Sequence, residues 1–146
     1  MKKIILLFAL LQSSSAMANW VYMDDMAAKT TNKNGSHAVL QAGKDEFLIF
    51  FTTPNPACIA NSESLIAEKA RIRVNNEAML ANAQCLEKGI VAFVPIGHFQ
   101  GMVGALFHYE LSVKVEFNRY DSETYSAIGY QAQKDRIFDN WSKSRK

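Results

Sequence analysis

From Leu111 to Phe117 every second residue is apolar: Leu111, Val113, Val115 and Phe117 alternate with Ser112, Lys114 and Glu116. A period of two sets one row against a core and the other in water, the pattern of a half-buried strand. Asn118-Arg119-Tyr120-Asp121-Ser122 then reads as a turn, and Thr124 to Gln131 returns with Tyr125, Ile128 and Tyr130 as large side chains. The stretch 111–131 is therefore expected to be an antiparallel hairpin. Just before it, Phe99, Met102, Val103, Leu106 and Phe107 fall at helical spacing and predict one apolar stripe over roughly 98–109.

The rest of the chain is short segments between turn signals. A first strand is expected near Asn19–Met23, interrupted by Asp24 and Asp25. Thr30 to Ser36 is polar and contains Asn34-Gly35, a strong turn dipeptide. Ser36 to Ala42 reads as a strand and Gly43-Lys44-Asp45 as a tight turn. Glu46 to Thr52 is almost continuously apolar, which suits a central strand buried on both faces. Pro54 and Pro56 end it, since neither can donate to a ladder. Cys58 to Ala70 reads as loop with a helical turn near 64–69, and Ala70 to Val74 as a strand turned by Asn75-Asn76. Glu77 to Lys88 stays open: its propensity favours helix, while Cys85 and the β-run after it suit an extended return. Ile90 to Val94 is a strand stopped by Pro95, and Ile137, Phe138 and Trp141 predict a short C-terminal helix. Seven or eight strands with two or three short helices give a mainly β class, an antiparallel sandwich or an open barrel.

The first residues carry a separate message. Lys2 and Lys3 precede the apolar run Ile4 to Leu11, and Ala16-Met17-Ala18 fits the small-x-small cleavage rule. Met1–Ala18 is expected to be a secretory signal, too short to span a bilayer, leaving 19–146 as one β-rich domain in the periplasm with no stable membrane insertion. Removing the segment's two lysines leaves fourteen basic residues against fourteen acidic ones. A nucleic-acid partner wants a basic field, so none is expected. Lys143, Arg145 and Lys146 read as a frayed tail. Cys58 and Cys85 are the two cysteines, and in an exported chain an even count favours a disulfide. Closing such a loop is worth roughly 3–4 kcal/mol in the chain-entropy model.

No catalytic constellation is legible. His37, His98 and His108 form no pair at metal-ligand spacing, and there is no nucleophile elbow or phosphate loop. Asp24-Asp25 and Asp45-Glu46 are adjacent pairs, which point oppositely on a strand. Gly101 and Gly104 suit close helix packing, and Phe47, Phe50, Phe51, Phe93 and Phe117 fall mostly at core positions. The reading is a binder without cofactor or metal, acting through loops on a rigid scaffold. The candidate partner-binding residues are Lys33 and Asn34 in the first turn, Lys44, Asp45 and Glu46 in the second, and Arg119, Tyr120 and Asp121 in the third.

The Ala16-Met17-Ala18 ending, the Asn19-Trp20 start, the Tyr22-x-Asp24-Asp25-Met26 segment, the cysteine pair and the closing helix and hairpin resemble small exported bacterial proteins. Among these are periplasmic immunity proteins of type VI secretion systems, which neutralise effectors that attack peptidoglycan. The layout is similar to immunity proteins paired with muramidase-like effector domains. That resemblance implies a secreted peptidoglycan-degrading partner, with a homodimer also compatible. It implies that a rigid loop carrying donors such as Lys44 or Arg119 fills a cleft lined by catalytic carboxylates. The rival expectations are a non-catalytic structural or accessory module of the periplasm and a small-ligand carrier.

Overall fold

The computed structural model describes residues 19–59 and 65–146, with backbone alone for residues 65–68. The expected secretory segment Met1–Ala18 lies outside the described residues. The elements run β1 (Val21–Asp24), β2 (Ala27–Thr31), β3 (His37–Ala42), β4 (Phe47–Pro54), β5 (Leu65–Val74), β6 (Glu77–Glu87), β7 (Ile90–Pro95), α1 (Phe99–Tyr109), β8 (Ser112–Glu116), β9 (Ser122–Ser126) and α2 (Tyr130–Ser144). Among the described residues nine strands stand against two helices, so the class is mainly β. All nine strands join one antiparallel sheet in the order β1-β2-β3-β4-β7-β6-β5-β8-β9. The sheet curls into a half-barrel, so of the two expected forms the open barrel is realised.

The inner face explains the curl. Small residues stand opposite large ones across the ladders: Ala28 faces Leu40, Ala38 faces Phe51, and Ala83 faces Phe93. Alternating bulk lets neighbouring strands bend around a filled interior. Leu40, Phe51, Phe107, Tyr125, Tyr130 and Ile137 are among its fully buried side chains. Each large apolar side chain buried there contributes about 1.5–3 kcal/mol. Helix α1 contributes Val103 and Phe107, and α2 contributes Tyr130 and Ile137. Trp20 sets its indole edge-on against Phe107 at 5.2 Å and Tyr130 at 5.1 Å, tying the start of the chain to both helices. Gln100 anchors α1 to the sheet: its amide oxygen accepts the Ile49 N–H at 2.8 Å, and its NH2 donates to the carbonyls of Ile49 and Pro95.

The two edges of the sheet approach each other. The Trp20 N–H donates to the Ile128 carbonyl at 3.0 Å. Asn32 and Asn34, in the turn after β2, both donate to the Glu123 carboxylate of β9, the latter at 3.0 Å. Cys58 and Cys85 form the expected disulfide, their Cα atoms 5.4 Å apart, within a small second cluster with Ala83 and Val91. Such a bond persists in oxidising surroundings, which suits a protein outside the cytoplasm. Among the described residues no helix is long and apolar enough to cross a membrane.

Several local expectations are corrected. Leu65–Ala70 is not loop or helical turn; it is the first half of β5, paired with β6 through a bulged register. Glu77–Glu87 is strand. Met79, Ala81, Ala83 and Cys85 point inward in a period of two, and pairing on both sides outweighs the helix propensity of an Ala-rich run. Ala27–Thr31, unread as a strand, is β2. The hairpin's return arm stops at Ser126, because Gly129 turns the chain at φ 85° and Tyr130 and Gln131 begin α2. A side chain at Gly129 would also meet the Trp20 carbonyl oxygen at 3.3 Å. Leu111, expected in the apolar row, lies before β8 and is 81% exposed. Strand β4 is not buried on both faces throughout, since Phe50 on the outer side is half-buried. The C-terminal helix is longer than expected and reaches Ser144. Its basic end is held: Lys143 pairs with Asp139 at 2.9 Å and Arg145 with Asp45 at 3.8 Å.

Candidate functional site

The three candidate turns do not form one surface. Strand β3 runs six residues from the first turn to the second, about 20 Å at the rise of an extended chain. Lys33 and Asn34 therefore sit at one end of the half-barrel, and Lys44, Asp45 and Glu46 at the other. Arg119, Tyr120 and Asp121 join the first group, because β9 leaves their turn directly into Glu123, the residue that Asn32 and Asn34 grip.

At that end both turns are built by asparagine side chains. The Asn32 side-chain oxygen accepts the backbone N–H groups of Asn34 and Ser36, each at 3.0 Å, while Gly35 supplies a φ of 78°. This leaves Lys33 exposed and commits the Asn34 amide to Glu123. The Asn118 side-chain oxygen accepts the N–H groups of Tyr120 at 2.8 Å and Asp121 at 2.9 Å, and its NH2 donates to the Asp121 carboxylate. Such side-chain bonds fix a turn that has no other element over it. The Arg119 guanidinium lies 4.6 Å from the Tyr120 ring centre, and Tyr120 is 79% exposed. An Arg stacked on an outward Tyr is a compact pair of donor and flat apolar surface. Behind them Tyr125 is buried, with the Ser36 side chain beside its hydroxyl. Burial, and then the Glu123 carboxylate, hold that phenol far above its ordinary pKa, opposed by the Ser36 side chain.

The opposite turn is covered. The Trp141 indole N–H donates to the Gly43 carbonyl at 2.9 Å, and the Arg145 guanidinium donates to the Lys44 carbonyl at 3.0 Å while it pairs with Asp45. The Lys44 and Glu46 side chains stay exposed, but the backbone beneath them is clamped by α2.

The three histidines are dispersed. His37 lies at the start of β3, where Thr31 meets its Nδ1 at 2.8 Å, and burial, then Lys29, lower its pKa. His98 stacks on Phe99 just ahead of α1. His108 is on α1, where its Nδ1 faces the Gln131 side-chain oxygen, whose NH2 donates to Asp135 at 2.7 Å. Among the described residues no group of three or more His, Cys, Asp or Glu converges as a metal site would require. Two features escaped the sequence. Glu123 joins turns that lie about ninety positions away, and no local signal marks it. A groove of about 530 Å³ runs between α1 and α2, floored by Leu40, Phe47 and Ile49. The structure thus defines a helix-plugged β half-barrel with a two-turn end surface and an interhelical groove. No family model, curated protein or solved structure matches the chain.

Proposed function

We propose that this chain is a periplasmic immunity protein that binds and blocks a muramidase-type effector of type VI secretion, without chemistry of its own. The observation that carries the reading is the end of the half-barrel where two turns are brought together over Glu123. They offer Lys33, Arg119 and the exposed Tyr120 on backbone already fixed by Asn32 and Asn118. A loop ordered before binding loses little further entropy in the complex, and Tyr and Arg are the side chains that most often dominate such contacts. A muramidase cleft is lined by catalytic carboxylates, and a guanidinium carried on a rigid turn suits them. Between the two polar turns of this chain, the Asn118–Ser122 turn is the one that projects into the cleft, with Lys33 on its rim. The internal disulfide is compatible with residence in the periplasm.

The test is to mix the oxidised protein with a candidate cell-wall hydrolase, isolate the complex and follow lysis of purified cell walls. A stoichiometric complex that stops lysis supports the reading. Undiminished lysis with excess protein present would refute it.

A further inference from the structure

The geometry points to a binding site for a small carboxylate with an apolar body in the groove between α1 and α2. The groove's volume, about 530 Å³, falls in the range of pockets that hold small organic ligands. Its floor is apolar, made by Leu40, Phe47 and Ile49 of the inner sheet. Gly101 and Gly104 of α1 line its wall and put no side chain into it.

The second observation is Tyr130. This residue is 1% exposed, and its hydroxyl is the one polar atom of its side chain. It lines the groove, and a Cβ added at Gly104 would stand 3.4 Å from the hydroxyl oxygen. A phenol hydroxyl at the wall of a groove can donate its proton to a ligand seated there. Burial pushes this phenol up to about 12, so at neutral pH it offers a proton. It calls for an acceptor.

Charge decides which acceptor. Lys134 lines the same groove, with its ammonium 6.0 Å from the Tyr130 ring centre, and it has no ion pair among the described residues. The nearby acceptors are occupied: the Gln131 oxygen faces His108, and an Asp135 oxygen takes the Gln131 NH2. A hydroxyl donor and a cation above an apolar floor fit one carboxylate joined to a hydrocarbon or aromatic body. The assignment is independent of the immunity reading, since it concerns another face of the molecule.

The test uses the isolated, oxidised protein with octanoate and phenylacetate as probes and octanol and phenylethanol as neutral counterparts. Trp20 against Tyr130 and Trp141 against Phe47 make tryptophan fluorescence a direct readout, with calorimetry for stoichiometry. The expected result is saturable one-to-one binding of the carboxylates, at least tenfold tighter than the alcohols. Tyr130→Phe and Lys134→Gln should each weaken it about fivefold or more. Gly104→Ala should do the same by placing a methyl against the Tyr130 hydroxyl, while its thermal midpoint holds or rises because Ala is the better helix former. Failure of the carboxylates to saturate, equal affinity for the alcohols, or affinities unchanged in all three variants would overturn the assignment. No hydrolase enters the assay, so its failure leaves the inhibition experiment untouched, and the reverse holds.

Discussion

The turns Asn118–Ser122 and Gly43–Glu46 carry nearly the same chemistry. Each joins two antiparallel strands, and each carries a cation within two positions of an acid: Arg119 and Asp121, and Lys44 and Asp45. Their support differs. The first is held from within, by one asparagine side chain that bonds two backbone N–H groups and a carboxylate. The second has one backbone bond of its own, from the Gly43 N–H to the Glu46 carbonyl, and is held from outside by Trp141 of α2 and Arg145 at its end, which cap two of its carbonyls. A turn that supports itself can present its side chains to a partner. A turn clamped by a helix gives up its surroundings to the fold, and its charges serve the fold as well: Asp45 pairs with Arg145.

The comparison can be broken first at the clamp. Trp141→Ala removes both the hydrogen bond to Gly43 and the ring contact with Phe47 at 5.0 Å. Losing a large aromatic of this kind costs about 3 kcal/mol, and the thermal midpoint should fall by roughly 10 °C. A fall of a degree or two would mean that the turn holds itself after all. The free turn should behave in the opposite way. Tyr120→Ala should leave the midpoint nearly unchanged, within about 0.5 kcal/mol, since the ring is mostly in water. In the proposed complex the same change should weaken binding by about 2 kcal/mol, readable by calorimetry. Intact affinity would move the contact elsewhere.

The smallest effect concerns His37, at the end of β3 that adjoins the first turn. Partial burial, with Lys29 second, holds its pKa below the ordinary 6.5. The unfolded chain therefore binds more protons than the folded one just below pH 6.5, and stability falls as the pH drops through that window. The midpoint of His37→Gln should depend less on pH between 7.5 and 5.5 than that of the unsubstituted protein. Equal dependence in the two would place the acid-sensitive group elsewhere.

Parts of this were readable in advance. The alternation of Val113, Val115 and Phe117, the helical stripe ending at Phe107, and the strands around Ile49 and Val91 follow local periodicity, which survives folding because one side of each element meets the core. Strand β2 was not readable. Ala27, Ala28, Lys29, Thr30 and Thr31 have no large apolar row, and the residue buried opposite Leu40 is the small Ala28. Strand β6 carried its period of two in Met79, Ala81, Ala83 and Cys85, but small side chains make that rhythm faint against helix propensity. By size and position Tyr130 suits the hairpin, and only the positive φ of Gly129 shows the change of element. The turn residues were found as turns, yet their division between two ends follows from the direction of β3 and from Glu123. The interhelical groove is lined by Gly104 and Tyr130, two residues brought together only by tertiary packing.

The Glu123 grip has a consequence for how the shape comes about. Strands β1 to β7 stand side by side in the sheet, and only β5 pairs outside the set, with β8, so a nascent chain ending before β8 already owns a seven-stranded ribbon. Nothing in that ribbon meets the amides of Asn32 and Asn34, whose acceptor lies 91 and 89 positions downstream. The roll is fastened like a belt, by a buckle sewn near the far tip. Until that tip has been made the strap can lie flat, and the surface proposed for a partner has only one of its two sides.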